Sequence, residues 1–221
     1  MTIIEHARDL APLIEHTALK AEVTPAAIAA LCEEALAYGF RGVCVNPCFV
    51  SAARRHLGNA PARVISVVGF PLGANLSSSK AAEARAVIEA GADEIDMVLP
   101  IGLLLAGDLG AVRDDVAAVV AAAGAHPVKV ILETLLLNDW QKVAACQIAA
   151  RAGAAFVKTS TGFGGAHATP EDVALLKRTV GARLRVKASG GIRDFASARA
   201  LVEAGADVLG CSASVAIVSG G

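Results

Sequence analysis

Short apolar runs rich in β-branched residues recur along the chain, and a glycine precedes each of them. The runs are hydrophobic almost throughout, which is typical of parallel strands covered on both faces. The glycines follow segments of helical pattern and suit the left-handed position at which helices commonly end. The pattern predicts seven strands, over residues 42–45, 63–68, 94–98, 128–133, 155–160, 184–189 and 207–210.

An eighth strand is predicted near the beginning of the chain, over residues 13–17. Helix signals separate the strands: Thr24, Thr169 and Asp194 are good N-cap residues, and proline follows both threonines. The first helical segment, residues 24–38, places its apolar positions on one face, namely Ile28, Leu31, Cys32, Ala35 and Leu36. Eight alternating strand–helix units form a closed parallel barrel. We therefore predict an α/β protein with a single (β/α)8 TIM barrel, one domain over residues 1–221, since no linker divides the chain.

Composition and charge restrict the class of protein and the kinds of partner that it can bind. With 55% hydrophobic and 19% charged residues, the chain is not intrinsically disordered. The 20 Lys and Arg nearly cancel the 21 Asp and Glu, so no basic excess exists to bind nucleic acid or an anionic membrane. No uncharged stretch reaches the roughly 18 residues that a membrane-spanning helix needs, and residues 1–12 lack the apolar run of a secretory signal. Five scattered cysteines fit reduced thiols, so we expect a cytoplasmic protein.

Charged residues on the predicted strands are the first candidates for chemistry. Active sites in this fold lie at the carboxyl ends of strands, and Asp96, Lys158 and Lys187 lie on strands four, six and seven. Alternate strands fill a common layer, so Asp96 and Lys158 should share one, with Lys187 about 4.8 Å away on the next strand. Repulsion and desolvation would lower the pKa of one lysine below about 10.4, which produces a neutral amine nucleophile. The alternative is a Lys–Asp–Lys cluster that only balances buried charge.

Glycines and hydroxyl residues follow the last three predicted strands, in residues 159–162, 189–191 and 210–214. Backbone N–H groups at glycines and hydroxyl donors bind anions, and phosphate sites after strands seven and eight are frequent in these barrels. The alternative is that the glycines only turn tight loops. An amine nucleophile beside a phosphate site indicates a phosphosugar lyase that acts through a Schiff base.

Motifs along almost the whole chain, from about residue 13 to residue 218, resemble those of the deoxyribose-phosphate aldolase family of class I aldolases. The matching segments are residues 15–20 (EHTALK), 67–75 (VVGFPLGAN), 94–98 (EIDMV), 129–134 (KVILET), 157–163 (VKTSTGF), 186–193 (VKASGGIR) and 210–218 (GCSASVAIV). The resemblance implies reversible cleavage of 2-deoxy-D-ribose 5-phosphate to D-glyceraldehyde 3-phosphate and acetaldehyde, with no metal or other cofactor.

The resemblance also implies a role for each candidate residue. Lys158 would form the Schiff base, Lys187 would lower the pKa of Lys158 and assist proton movement, and Asp96 would handle protons through a water molecule. The phosphate would be held by Gly190, Gly191, Gly210 and Ser212, with Thr161 and Gly162 nearby.

The chain departs from the common family pattern at several positions, where loop geometry and substrate tolerance are expected to differ. These positions are Glu15, Leu99-Pro100, Ser214 and the loop 164–167. Other polar residues have two interpretations each. His16 is a proton shuttle or a structural histidine, and Cys44 lines the pocket or packs in the barrel. Lys129 and Glu133 share a strand face and are expected to form a buried supporting network.

Two further functions stay open from the sequence: another class I phosphosugar aldolase, and a catalytically silent barrel that binds phosphosugars. A metal-dependent lyase would need a histidine cluster, and the five histidines are dispersed along the chain. A homodimer and a higher homo-oligomer are both open.

Overall fold

The computed structural model describes residues 4–165 and 167–220, and its strands close into an eight-stranded parallel barrel in chain order. The strands are β1 (Ile14–Ala18), β2 (Gly42–Val45), β3 (Arg63–Val68), β4 (Glu94–Val98), β5 (Val128–Ile131), β6 (Phe156–Lys158), β7 (Arg185–Ser189) and β8 (Val208–Cys211). The last strand pairs with the first and leaves no sheet edge. The predicted TIM barrel is confirmed, together with all eight of its strands.

Helices alternate with the strands and pack around the outside of the barrel. In the described part of the chain they are α1 (Pro25–Tyr38), α2 (Val50–Leu57), α3 (Ser77–Glu89), α4 (Ile101–Leu105), α5 (Leu109–Ala123), α6 (Asp139–Arg151), α7 (Pro170–Val180), α8 (Phe195–Glu203) and α9 (Ser214–Ser219). Short 3-10 helices cover Ala7–Leu13, Pro47–Phe49 and Thr134–Leu136. No helix in residues 4–165 or 167–220 is long and apolar enough to cross a membrane.

The three predicted N-caps are confirmed by their hydrogen bonds. The side chain of Thr24 accepts from the backbone of α1, that of Thr169 from α7 and that of Asp194 from α8. The predicted apolar face of α1 is wrong at one position, because Leu36 is 45% exposed. The other four residues complete the buried stripe, and Leu36 lies one helical step of about 100° beyond it.

The glycines that end helices use two backbone conformations rather than one. Gly39 is left-handed, as predicted, with φ 69° and ψ 36°. Gly124 has φ 62° but ψ −120°, and Gly58 and Gly181 behave in the same way. The expectation of a left-handed residue is therefore wrong at these three positions. That region of φ and ψ is open essentially to glycine alone.

Side chains alternate between the barrel interior and the helical layer, and this alternation sorts them by chemistry. Val43 and Val45 of β2 join the large apolar core shared with the helices, whereas Cys44 joins a small separate cluster with Ile65 and Val67 of β3. The strand register places Lys158 opposite Lys187, and Asp96 opposite Lys129. The barrel therefore brings fully buried charges together in an otherwise apolar molecule.

Candidate active site

Asp96 joins the two lysines that the sequence singled out. Its Oδ2 atom lies 2.8 Å from Lys158 Nζ and 2.6 Å from Lys187 Nζ. Asp96 and Lys187 are fully buried, and Lys158 is 2% exposed. The three side chains come from β4, β6 and β7, and Asp96 contacts both lysines directly.

A second layer of charge surrounds this cluster, and sequence reasoning identified it only in part. Lys129 Nζ lies 2.9 Å from Asp96 Oδ1 and 2.7 Å from Glu94 Oε2. Glu15 accepts a hydrogen bond from Lys187, and Arg41 donates to both Glu15 and Glu94. The supporting role predicted for Lys129 agrees with these contacts. Arg41 was missed because it precedes β2 and carries no strand signal of its own.

The two lysines of the cluster have pKa values shifted in opposite directions. Burial lowers the pKa of Lys158, and the positive charge of Lys187 adds to this effect while Asp96 opposes it. Burial also acts against the Lys187 ammonium, but Asp96 and Glu15 together outweigh it and raise the pKa of Lys187. Lys158 is therefore the amine of the pair that gives up its proton more easily.

Asp96 stays ionised between the lysines. Burial alone would raise the pKa of its carboxyl group, but Lys129, Lys158 and Lys187 hold that pKa well below its usual value. Glu94 behaves similarly, because Lys129 and Arg41 overcome its burial and lower its pKa to about 2. Both carboxylates are thus ionised and available as hydrogen-bond acceptors at neutral pH.

A cavity of about 540 Å³ opens at the carboxyl ends of the strands, and Lys158 forms part of its wall. All six residues predicted to bind substrate line the same cavity: Thr161, Gly162, Gly190, Gly191, Gly210 and Ser212. Lys20, His167 and Arg193 also line it, and none of the described lining residues is acidic. This charge distribution favours an anionic ligand.

Close contacts explain two of the glycines in the cavity wall. A Cβ atom at Gly191, whose φ is 72°, would overlap the ring of His167. A Cβ atom at Gly210 would lie 2.9 Å from Lys187 Cε. Gly210 is therefore small because Lys187 passes beside it, in addition to its place in the cavity wall. The hydroxyl of Ser214, a departure from the family pattern, donates to the Cys211 carbonyl at 3.0 Å.

Thr161 lines the cavity, but both of its donors point away from it. Its hydroxyl donates to Glu133 Oε2 at 2.5 Å, and its backbone N–H donates to the same oxygen at 3.2 Å. The Thr161 hydroxyl oxygen also accepts from the N–H of Phe163 at 3.1 Å. Glu133 thus supports the loop after β6, rather than forming a network with Lys129 as the strand face had indicated.

The two residues with open interpretations lie away from the cavity wall. His16 Nε2 lies 2.7 Å from Glu34 Oε2, and the His16 ring packs against Phe40. Cys44 is fully buried in the small cluster inside the barrel, where burial raises the pKa of its thiol to about 11. Neither side chain is placed to contact a ligand directly.

The fold and the site combine a TIM barrel with a buried lysine amine of lowered pKa at the carboxyl ends of its strands. The chain belongs to the DeoC/LacD family of aldolases, whose sequence model matches residues 9–218. It is 52% identical over 213 residues to the deoxyribose-phosphate aldolase of Geobacillus sp. (strain WCH70), and the match covers 96% of each chain. The family resemblance of the motifs is therefore confirmed.

Solved structures agree with this assignment. A structure from Coccidioides immitis is 40% identical with a TM-score of 0.95, covering 97% of this chain and 86% of that one. The deoxyribose phosphate aldolase of Aeropyrum pernix, whose structure is described as tetrameric, is 36% identical with a TM-score of 0.89. That match covers 98% of this chain and 92% of the Aeropyrum chain.

Proposed function

We propose that the protein is a Schiff-base aldolase that reversibly cleaves 2-deoxy-D-ribose 5-phosphate to D-glyceraldehyde 3-phosphate and acetaldehyde. The observation that carries the proposal is the position of Lys158. Its amine, with a lowered pKa, lies in the wall of a cavity lined by glycine-rich loops and cationic side chains. The Geobacillus relative, about half identical over nearly its whole length, bears the name of this activity.

In the proposed reaction, the neutral amine of Lys158 attacks C1 of the open-chain sugar, and loss of water gives an iminium. Removal of the proton from the C3 hydroxyl lets its oxygen become a carbonyl while the C2–C3 bond breaks. The electron pair of that bond moves towards the iminium nitrogen and leaves an enamine. The enamine then takes a proton at C2, and hydrolysis releases acetaldehyde and the free amine of Lys158.

Lys187 and Asp96 have separate proposed roles in these steps. Lys187 remains an ammonium, because it contacts two carboxylates, and its charge favours the neutral form of Lys158. Asp96 moves protons between water and the reacting hydroxyl while touching both amines. The phosphate is proposed to lie against Gly162, Gly190, Gly191, Gly210 and Ser212, with Thr161 shaping the wall beside it.

Trapping of the covalent adduct tests the proposal directly. The protein is incubated with acetaldehyde, reduced with borohydride and digested, and the ethylated lysine is located by mass spectrometry. We expect the adduct on Lys158 and its loss in Lys158→Ala. The matched control is Lys20→Ala, which removes another lysine from the same cavity wall and should keep the adduct.

Product analysis separates this function from the alternatives. Wild type should release acetaldehyde from 2-deoxy-D-ribose 5-phosphate, and it should not accept dihydroxyacetone phosphate as a donor in the reverse direction. An adduct on a residue other than Lys158 contradicts the mechanism. Binding of the phosphosugar without any cleavage identifies a silent barrel instead.

We also propose that the enzyme is a single-domain cytoplasmic protein and a homo-oligomer. The tetrameric structure from Aeropyrum pernix supports the assembly. The free state of all five cysteines, each within the described residues, agrees with a reducing compartment. Light scattering during size-exclusion chromatography distinguishes a monomer from an assembly.

A further inference from the structure

Glu133 has a backbone conformation that is unusual for its residue type. Its φ is 57° and its ψ is 64°, and among the described residues it is the one non-glycine residue with positive φ. This left-handed conformation disfavours a residue with a side chain, and glutamate gains none of the local hydrogen bonds that help asparagine or aspartate there. Such strain persists only where the surrounding contacts enforce it, and it is concentrated at functional sites.

The conformation creates a bulge beside the strand that carries Lys158. The N–H of Leu132 donates to the Lys158 carbonyl at 2.9 Å, and the N–H of Thr134 donates to the Thr159 carbonyl at 3.0 Å. Between these two hydrogen bonds the chain that follows β5 advances by two residues, from Leu132 to Thr134. The neighbouring chain advances by one residue, from Lys158 to Thr159, so Glu133 is the extra residue of the bulge. Bulges at barrel rims redirect side chains next to active sites.

The redirected side chain reaches the loop that follows β6. Glu133 is only 7% exposed, and its Oε2 accepts both the hydroxyl and the backbone N–H of Thr161. Hydrogen bonds to an ionised acceptor are among the stronger ones in proteins. The second oxygen, Oε1, is buried and has no hydrogen-bond partner among residues 4–165 and 167–220, and both of the side-chain hydrogen bonds found for Glu133 in those residues go to Thr161.

Packing alone does not hold this loop in place. Thr161 and Phe163 line the substrate cavity on one side and a second cavity of about 290 Å³ on the other. Glu133 belongs to the wall of the second cavity, behind Thr161. A chain segment that borders a cavity on each side lacks the dense packing contacts that fix most buried segments. Thr159 and Ser160 are held by hydrogen bonds with Ser189 of β7. From Thr161 onward the two hydrogen bonds to Glu133 supply the constraint.

We propose that Glu133 is a positioning residue that, through Thr161, holds residues 161–165 against the substrate cavity. The inference rests on the proposed aldolase function and assigns Glu133 to recognition of the phosphorylated end of the sugar. Greater mobility of this loop should weaken binding of the phosphorylated end of the sugar, because Gly162 and Gly165 line the substrate cavity. The chemistry at Lys158 should continue, because Lys158 contacts Asp96, and Asp96 contacts Lys187, without involving Glu133.

Substitution by glycine tests the side chain of Glu133 apart from the positive φ of its backbone. Glu133→Gly accepts positive φ without strain and removes the whole side chain, including the carboxylate that binds Thr161. We expect the KM for 2-deoxy-D-ribose 5-phosphate to rise about tenfold, with kcat within about twofold of wild type, for the loss of two charge-assisted hydrogen bonds. For 2-deoxy-D-ribose, which lacks the phosphate, kcat/KM should change by less than about twofold.

Two further variants test whether Glu133 acts through Thr161. In Glu133→Gln an amide oxygen still accepts from Thr161, so most of the effect on KM should be rescued. In Thr161→Val the hydroxyl is lost, and the double variant with Glu133→Gly should be no worse than Glu133→Gly alone. Glu5→Gly is the control, because Glu5 is exposed and distant from both cavities.

Hydrogen exchange provides a measurement that does not depend on activity. Amides in residues 161–165 should exchange about tenfold faster in Glu133→Gly than in wild type, and those of α5 should not change. Unchanged KM and unchanged exchange in this segment would overturn the inference, even if thermal stability fell. Absence of cleavage by wild type would overturn the proposed function, while the exchange result would still decide whether Glu133 holds the loop.

Discussion

The two lysines of the site differ by one carboxylate, and this difference assigns their roles. Lys158 Nζ contacts Asp96, whereas Lys187 Nζ contacts both Asp96 and Glu15. Because each carboxylate stabilises the ammonium, the lysine with two such partners keeps its proton and the lysine with one can lose it. The same Asp96 oxygen accepts hydrogen bonds from both amines, so a change in the charge of one lysine alters the pKa of the other.

Removal of the Lys187 charge should therefore make Lys158 more basic. In Lys187→Met the repulsion disappears and Asp96 keeps only Lys158 and Lys129 as partners, so the pKa of Lys158 rises. The neutral amine is the form that attacks, and its fraction at a given pH falls about tenfold for each unit of that rise. We expect the acidic limb of the rate of acetaldehyde adduct formation, trapped with cyanoborohydride, to move to higher pH.

The control for this experiment is Lys142→Met. Lys142 pairs with Asp172 in the helical layer at 2.7 Å, so it carries a comparable ion pair outside the barrel interior. The pH profile of acetaldehyde adduct formation by Lys142→Met should match that of wild type. A profile of Lys187→Met that stays in place or moves to lower pH would contradict the assigned roles.

At the scale of strands and loops, local patterns predicted the strands, and the layering of the barrel predicted that Asp96 lies with Lys158 and Lys187, but the further partners of these residues were not predicted. Strands and N-caps depend on a few adjacent residues, which is why Thr24 and Thr169 were placed correctly. Glu15 and Lys187 lie 172 positions apart, and no local pattern reports such a contact. The conformation of Glu133 was equally hidden, because a left-handed position is expected at glycine or asparagine.

The loops after β6 and β7 form one surface, and Gly191 is the point at which they meet. The N–H of Ala168 donates to the Gly190 carbonyl at 3.0 Å, and the His167 ring occupies the space where a Gly191 side chain would be. Gly191→Ala should push the two loops apart. We expect the KM for 2-deoxy-D-ribose 5-phosphate to rise about tenfold, which corresponds to about 1.4 kcal/mol of lost binding.

Gly107→Ala is a matched control for that substitution. Gly107 also has positive φ, at 81°, but a Cβ atom there would meet open space. Both variants therefore carry the same kind of backbone strain, and only Gly191→Ala disturbs the cavity. Equal KM values for the two variants in steady-state assays would show that the contact with His167 does not matter for binding.

At the scale of the whole molecule, the buried carboxylates of the barrel interior have cationic partners other than Lys158. Three carboxylates are fully buried: Glu15, Glu94 and Asp96. Three cations that keep their protons face them, namely Lys129, Lys187 and the largely buried Arg41, while Arg63 reaches Glu94 from a solvated position. Lys158 is the additional amine, so the fold as a whole favours the form that reacts.

This balance predicts opposite effects for two buried lysines on the free energy of unfolding. Lys129→Met leaves Glu94 and Asp96 short of a partner and should cost about 3–5 kcal/mol. Lys158→Met removes the amine in excess, so its free energy of unfolding should stay within about 1 kcal/mol of wild type or exceed it, although activity is lost. Urea unfolding at pH 7, followed by circular dichroism, measures both. If Lys158→Met lowered the free energy of unfolding as much as Lys129→Met, the barrel interior would need the Lys158 ammonium for stability. That result would contradict the proposal that Lys158 is a neutral amine in the folded protein.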